Sequence, residues 1–362
     1  MPRNIEIVRR WTSQFLCIFL VSVISSVFAA ETPRPPMTEG EPAPGRFVRQ
    51  TAEEYRGTNV HHALHLPVNW ERGKTYPVIV EYAPNQWQEF SGNVEGCRLG
   101  YGLSGGRDFL WLVLPYVDPV KGENVTKWWG DEDATARYCR TSLRRVCEQY
   151  GGDPNAVILC GFSRGAIACG YLGLRDEAMA DIWLAFYPHS HIDGTRFTAK
   201  GGLERLARTR GRATFVTYGS DDSGGTESPK GAHILRDLGF PVVEREIAGL
   251  PHTDHHLDEE SPIRSELRAW LAEVIAKRPG TFTVRGRVVD GNGRGIASAR
   301  VQCGDWHWAT TDADGRYEIR SLVAGTRALV ATKDGAVFTP ATQPTTIADR
   351  DFEAGDFTLA AP

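Results

Sequence analysis

Between residues 57 and 278 the apolar positions fall into short continuous runs separated by longer segments of helical spacing. Residues 61–66 and 76–82 read as two early strands joined by a turn at Arg72-Gly73-Lys74. Residues 109–114 are apolar throughout, as a strand covered on both faces requires. Residues 132–150 have helical length and spacing, and 156–160 is a strand leading into a helix-like run at 166–174. Further strands are predicted at 182–187, 213–218 and 242–247. Helices are predicted at 231–238, closed by Gly239, and at 262–276, with a proline near its start. Strands that alternate with helices in this way predict an α/β fold with a mostly parallel sheet and helices on both faces.

The rhythm changes at Pro279-Gly280. Residues 284–290 alternate apolar and polar positions and end at Gly291-Asn292-Gly293, a turn signal. Strands follow at 299–302 and 306–311, and Asp312-Ala313-Asp314-Gly315 forms a turn into another. Upstream, residues 31–56 are rich in Pro, Glu and Thr, lack periodicity and read as a linker. Residues 1–30 read as a secretory signal. Arg9 and Arg10 open it, 15–28 are mostly apolar but short for a span, and Val27-Phe28-Ala29 suits cleavage after Ala29 or Ala30. An uncleaved anchor is the alternative. The expected location is therefore secreted or periplasmic, with no membrane attachment after cleavage.

Composition adds little direction. The chain has 362 residues, 41% hydrophobic and 24% charged, and a formal net charge of −4. These are values of an ordinary globular protein, and the absence of a basic stripe argues against a nucleic-acid partner. Six cysteines follow the leader. Cys139 and Cys147 are too far apart along one helix to bridge each other, whereas Cys97 is free to pair with either. Cys160 and Cys169 read as small apolar core residues.

Candidate chemistry centres on Gly161-Phe162-Ser163-Arg164-Gly165, a G-x-S-x-G at a predicted strand-to-helix turn. A serine hydroxyl needs a base to take its proton and an acid to orient that base. Gly219-Ser220-Asp221-Asp222 and Gly249-Leu250-Pro251-His252 follow later strands, in the order Ser, Asp, His. Asp222 is the expected acid, with Asp221 and Asp193 as alternatives. Oxyanion donors are expected from the backbone N–H of Arg164 and from the loop after residue 82, where Pro84 has none to offer; Asn85 is the candidate and Gln86 the reserve. The Arg164 side chain reads as a solvated charge at the rim, or as a group that binds an acidic substrate or helps stabilise the oxyanion. Trp128, Trp129 and Trp87 are candidates for stacking on substrate, and His189 and His191 for lining the cleft. His255 and His256 read as exposed loop residues rather than metal ligands.

Residues 57–278 resemble the α/β-hydrolases, specifically compact secreted esterases related to polyhydroxyalkanoate depolymerases and feruloyl esterases. The motifs that carry this are the elbow, Asp222 three residues after Gly219, and the G-x-x-H turn of Gly249 to His252. Relatives commonly carry His-Gly where this chain has Ala83-Pro84. Residues 281–362 resemble the carboxypeptidase regulatory-like domain, a transthyretin-like β-sandwich. The resemblance implies a serine hydrolase of small or polymeric carboxylic esters acting through an acyl-enzyme, with no cofactor and no metal, and with polysaccharide contact as a role for the C-terminal domain. A prolyl-oligopeptidase-like peptidase and an inactive binding scaffold are the alternatives.

Overall fold

A computed structural model of the chain describes residues 33–192, 201–222 and 228–360. The expected leader and Asp193 lie outside the described residues.

The first strands are β1 (Met37–Thr38), β2 (Phe47–Gln50), β3 (His62–His65), β4 (Tyr76–Tyr82) and β5 (Leu110–Leu114), with helix α1 (Leu99–Ser104) before β5. A short ribbon of β6 (Val117–Asp118) and β7 (Glu123–Asn124) leads into α2 (Glu132–Tyr150). Next come β8 (Gly152–Phe162), α3 (Arg164–Tyr171), α4 (Glu177–Ala180), β9 (Ala185–His189) and α5 (Gly202–Ala207). The unit closes with β10 (Ala213–Gly219), α6 (Ser228–Asp237), β11 (Val242–Ile247) and α7 (Pro262–Lys277). Local chemistry sets the helix ends. The Asp131 carboxylate accepts from the Ala134 N–H at the start of α2, and Ser261 does the same for Arg264 ahead of Pro262 in α7.

One nine-stranded sheet joins these strands in the order β1-β2-β3-β5-β4-β8-β9-β10-β11. β3 runs antiparallel to β2 and β5, while β5, β4, β8, β9, β10 and β11 run parallel to one another. Register brings the C-terminal ends of the central strands level: Tyr82 opposes Gly161, His189 opposes both Phe162 and Thr217, and Gly219 opposes Ile247. The loops that leave these ends carry the candidate residues, as expected for an open parallel sheet. This is the α/β-hydrolase arrangement.

Of the expected linker, the described residues 33–56 form part of the sheet. β1 and β2 extend the sheet, and Phe47 stacks on Trp111 at 4.6 Å with its side chain fully buried. Strands of two and four residues are too short to show a period against a Pro-, Glu- and Thr-rich background. All six described cysteines are buried and unpaired. Among the described residues no helix is long and apolar enough to cross a membrane.

The C-terminal strands β12 (Phe282–Val289), β13 (Arg300–Cys303), β14 (His307–Thr310), β15 (Arg316–Leu322), β16 (Gly325–Thr332), β17 (Phe338–Thr339), β18 (Gln343–Ile347), β19 (Phe352–Glu353) and β20 (Phe357–Leu359) form two sheets, β15-β12-β20-β17 with β19 beside β12, and β14-β13-β16-β18. Their inner faces enclose a core that includes Val284, Val301, Ile319, Leu329 and Phe357. Asp312 Oδ1 accepts from the N–H groups of Asp314 and Arg316, so these aspartates shape the turn. The sandwich is fastened to the α/β unit. Trp306 is fully buried and its Nε1–H donates to the Pro154 carbonyl at 2.9 Å. Asn155 donates to the Trp308 carbonyl and pairs with His307, and Arg327 pairs with Asp181. Asn155 lies eight residues before Ser163 on β8 and its turn, so this junction is roughly 26 Å along the strand from the nucleophile elbow. The sandwich therefore braces the end of the sheet remote from the cleft.

Candidate active site

Ser163 sits between β8 and α3 at φ 52° and ψ −118°, a conformation that costs a non-glycine residue about 1–3 kcal/mol. The flanking glycines make the turn possible. A Cβ on Gly161 would lie 2.3 Å from the Gly165 carbonyl carbon, and one on Gly165 would lie 2.0 Å from the Tyr82 oxygen. The serine is thereby held clear of the sheet, half-buried, at the mouth of a cleft of about 330 Å³.

Three distant segments meet there. His252 Nε2 is 3.0 Å from Ser163 Oγ, and His252 Nδ1 is 2.9 Å from Asp222 Oδ2. A carboxylate only accepts, so Nδ1 carries the proton and the Nε2 lone pair faces the serine hydroxyl. Asp222 is buried, whereas Asp221 is exposed and accepts from Ser220. The imidazole packs on Phe162 at 4.6 Å, with Trp87 at 5.8 Å and His191 at 5.7 Å.

A fourth side chain joins them that the sequence did not suggest. Ser190 directly follows β9 at φ 78°, and its hydroxyl donates to Asp222 Oδ2 and lies 3.1 Å from His252 Nδ1. A serine between two histidines carries no signal until the register of β9 against β8 and β10 is known.

His189 is not a cleft residue. Its ring is buried, with Nε2 2.8 Å from the Thr253 carbonyl and Nδ1 2.7 Å from Thr217 Oγ1. The carbonyl fixes the direction of the whole chain of bonds. His189 Nε2–H donates to Thr253, so Nδ1 accepts from the Thr217 hydroxyl; that oxygen accepts from Tyr187, 3.0 Å away, and Tyr187 accepts from His256 Nε2–H at 2.7 Å. His256 also stacks on His189 at 4.0 Å and is half-buried, not an exposed loop residue. Burial holds the His189 imidazole at about 4, below the usual range, so it stays neutral. The chain ends on the residue next to His252 and ties that loop to the sheet. Beside it, burial pushes the Asp254 carboxyl up to about 7 against the pull of Arg98.

Of the tryptophans, Trp128 and Trp87 line the cleft with Pro84, Asn85, Phe90 and His191, and both are about half exposed. Trp129 does not line it: the ring packs on Tyr171 at 4.6 Å and anchors the loop. Tyr101 belongs to the core.

Arg164 is neither a rim charge nor an acid receptor. Its side chain is fully buried and its five N–H donors reach five backbone carbonyls: Ala83 (3.3 Å), Pro84 (2.7 Å), Gly92 (2.9 Å), Val125 (3.3 Å) and Trp128 (2.7 Å). No donor is left for a substrate carboxylate. Around it, the Gln86 N–H donates to the Thr126 carbonyl at 2.8 Å, and the Asn85 side chain accepts from the Trp128 N–H at 2.8 Å. Gln86 is thus committed, whereas the Asn85 N–H has no protein acceptor among the described residues.

Comparison with known proteins matches residues 283–360 to the carboxypeptidase regulatory-like domain. None of the curated proteins matches the chain. Among solved structures, a ferulic acid esterase is 17% identical over 62% of this chain and 95% of its own, with a TM-score of 0.42. A thermostable esterase is 14% identical over 63% and 62%, at 0.44. One from a study of two fungal esterases from Rhizomucor miehei is 13% identical over 64% and 83%, at 0.47. Residues 283–360 are thus similar to the carboxypeptidase regulatory-like domain, and the strand order and elbow of the unit before them are those of the α/β-hydrolase fold.

Proposed function

We propose that the chain is a serine hydrolase of carboxylic esters, with Ser163, His252 and Asp222 as its catalytic residues. The observation that carries this reading is the pair of contacts from one imidazole, 3.0 Å to the strained serine and 2.9 Å to a buried carboxylate. Ser163 Oγ attacks the ester carbonyl as His252 Nε2 takes its proton, and Asp222 stabilises the imidazolium. The tetrahedral oxyanion is met by the N–H groups of Arg164 and Asn85. His252 then returns the proton to the departing alkoxide, and the alcohol leaves an acyl group on Ser163. In the second half His252 takes a proton from water, the hydroxide attacks the acyl carbonyl, and the acid is released as Ser163 regains its proton.

The acyl side of the substrate rests on an apolar wall of Pro84, Trp87, Phe90 and Phe162. A volume of about 330 Å³ suits a small acyl group, and an open cleft suits an alcohol that is part of a polymer. The reading includes export, on the strength of residues 1–30 alone, and a mature N-terminus near Glu31 is its check. Polysaccharide contact by the sandwich would act by tethering, since that domain stands away from the cleft. Parallel assays on nitrophenyl, feruloyl and acetyl-sugar esters and on matched amides test the class. Ester turnover lost in S163A is the expected result; preferential amide cleavage would favour a peptidase, and no turnover a binding scaffold.

A further inference from the structure

We propose that the Arg164 guanidinium is the residue that builds the oxyanion hole, by setting and polarising the Pro84–Asn85 peptide. This rests on the serine-hydrolase reading and adds a positioning residue to it. The Pro84 carbonyl, which accepts from Arg164 at 2.7 Å, belongs to the same peptide unit as the Asn85 N–H. In a planar trans peptide the two groups point in opposite directions, so holding the carbonyl aims the N–H. With a C=O bond of about 1.23 Å and a C–N bond of about 1.33 Å, the guanidinium stands roughly 5 Å behind the Asn85 nitrogen.

Two further facts make the effect more than a hydrogen bond. The guanidinium is buried and is held by five carbonyls and the face of Tyr116 at 3.8 Å, with no carboxylate bonded to it. A charge in such surroundings is weakly screened, and it draws electron density from the carbonyl it binds, which makes the N–H across the amide a stronger donor. The same side chain grips the turn at Ala83, Pro84 and Gly92 and the facing loop at Val125 and Trp128. Ala83-Pro84 supplies a stiff turn, and Arg164 fixes the direction in which that turn presents its N–H. One residue therefore serves both halves of the hole, through its own backbone N–H and through Asn85.

The test compares an oxo ester with its thionoester. Sulfur is larger and a poorer acceptor than oxygen, so a working oxyanion hole favours the oxo ester, and damage to the hole lowers that preference. Wild type, R164Q, R164K, N85P and the R164Q/N85P double variant are assayed for kcat, KM and the oxo-to-thiono ratio. N85P is expected to lose about 10²–10³-fold in kcat, as for one oxyanion donor. R164Q should lose a comparable factor with KM nearly unchanged and a reduced ratio, and the double variant should be little worse than N85P. R164K keeps the charge but not the fork, and should fall between wild type and R164Q. If R164Q does not fold, R164K and its combination with N85P carry the same comparison. The inference is overturned if the arginine variants lose rate equally on both esters, or if the losses multiply in the double variant. A wild type that neither cleaves ester nor reacts with a fluorophosphonate would overturn the hydrolase reading with it; an active wild type whose ratio ignores Arg164 overturns this inference alone.

Discussion

Thr217→Val removes one hydroxyl and almost no volume, and it tests whether the buried chain from His256 to Thr253 positions the His252 imidazole. The Thr217 hydroxyl donates to His189 Nδ1 at 2.7 Å and accepts from Tyr187 at 3.0 Å, in a fully buried place. Valine leaves His189 Nδ1 without its donor and the Tyr187 O–H without its acceptor. Two orphaned buried groups at about 1–3 kcal/mol each, partly relieved by shifts of the rings, give an expected loss of about 2–4 kcal/mol. The effect should pass to the site, because His189 is what holds the Thr253 carbonyl at 2.8 Å, one residue from His252. We expect kcat to fall about tenfold, equivalent to ~1.4 kcal/mol, with little change in KM. Equilibrium urea denaturation and steady-state ester hydrolysis measure the two effects. A stability change below about 0.5 kcal/mol, within the range of an ordinary surface substitution, would refute the reasoning. So would a stability loss with unchanged kcat, for then the chain of bonds supports the core and not the imidazole.

Other outcomes follow from the same physics. His65 is buried against Tyr101 and Trp111, neither ring nitrogen has a hydrogen-bond partner among the described residues, and burial lowers its imidazole to about 4. The unfolded imidazole titrates near 6.5, so between about pH 6.5 and 4 the unfolded chain takes a proton that the native one refuses, and stability falls with pH. H65L should raise stability by about 1 kcal/mol at neutral pH and flatten this acid limb, as read from urea midpoints across the window. S190A should cost about 10–100-fold in kcat, because it strips a charge-assisted bond of roughly 1.5–3 kcal/mol from Asp222, while Ser163 still labels with fluorophosphonate. W306A should destabilise by about 3–5 kcal/mol and expose the sandwich junction to proteolysis. Its kcat should match wild type in the folded fraction, because that junction is remote from the elbow.

Much of the framework was legible in the sequence because it is local. The runs at 76–82, 132–150 and 242–247 match β4, α2 and β11 residue for residue, and the elbow motif reports its own backbone geometry. The order Ser163, Asp222, His252 was readable because each follows a strand, and parallel register then brings strand ends together. What stayed hidden is what depends on direction and burial. Nothing in Arg164 as a letter distinguishes a solvated guanidinium from one caged by five carbonyls. Ser190 and Thr217 act only through neighbours that the sheet supplies. His189 and Trp129 sit beside true cleft residues in sequence and face the other way in space. β1 and β2 escaped because strands of two and four residues leave no periodic signature.

The most direct measurement of the central claim is intact-protein mass spectrometry after exposure to a fluorophosphonate, across wild type, S163A, H252A and D222A. One adduct on wild type, mapped to the peptide containing Ser163, is the result expected. S163A should take none, and H252A and D222A should react far more slowly while remaining folded. An adduct on another residue, or equal labelling of wild type and H252A, would contradict the account, because the serine would then owe nothing to the imidazole beside it.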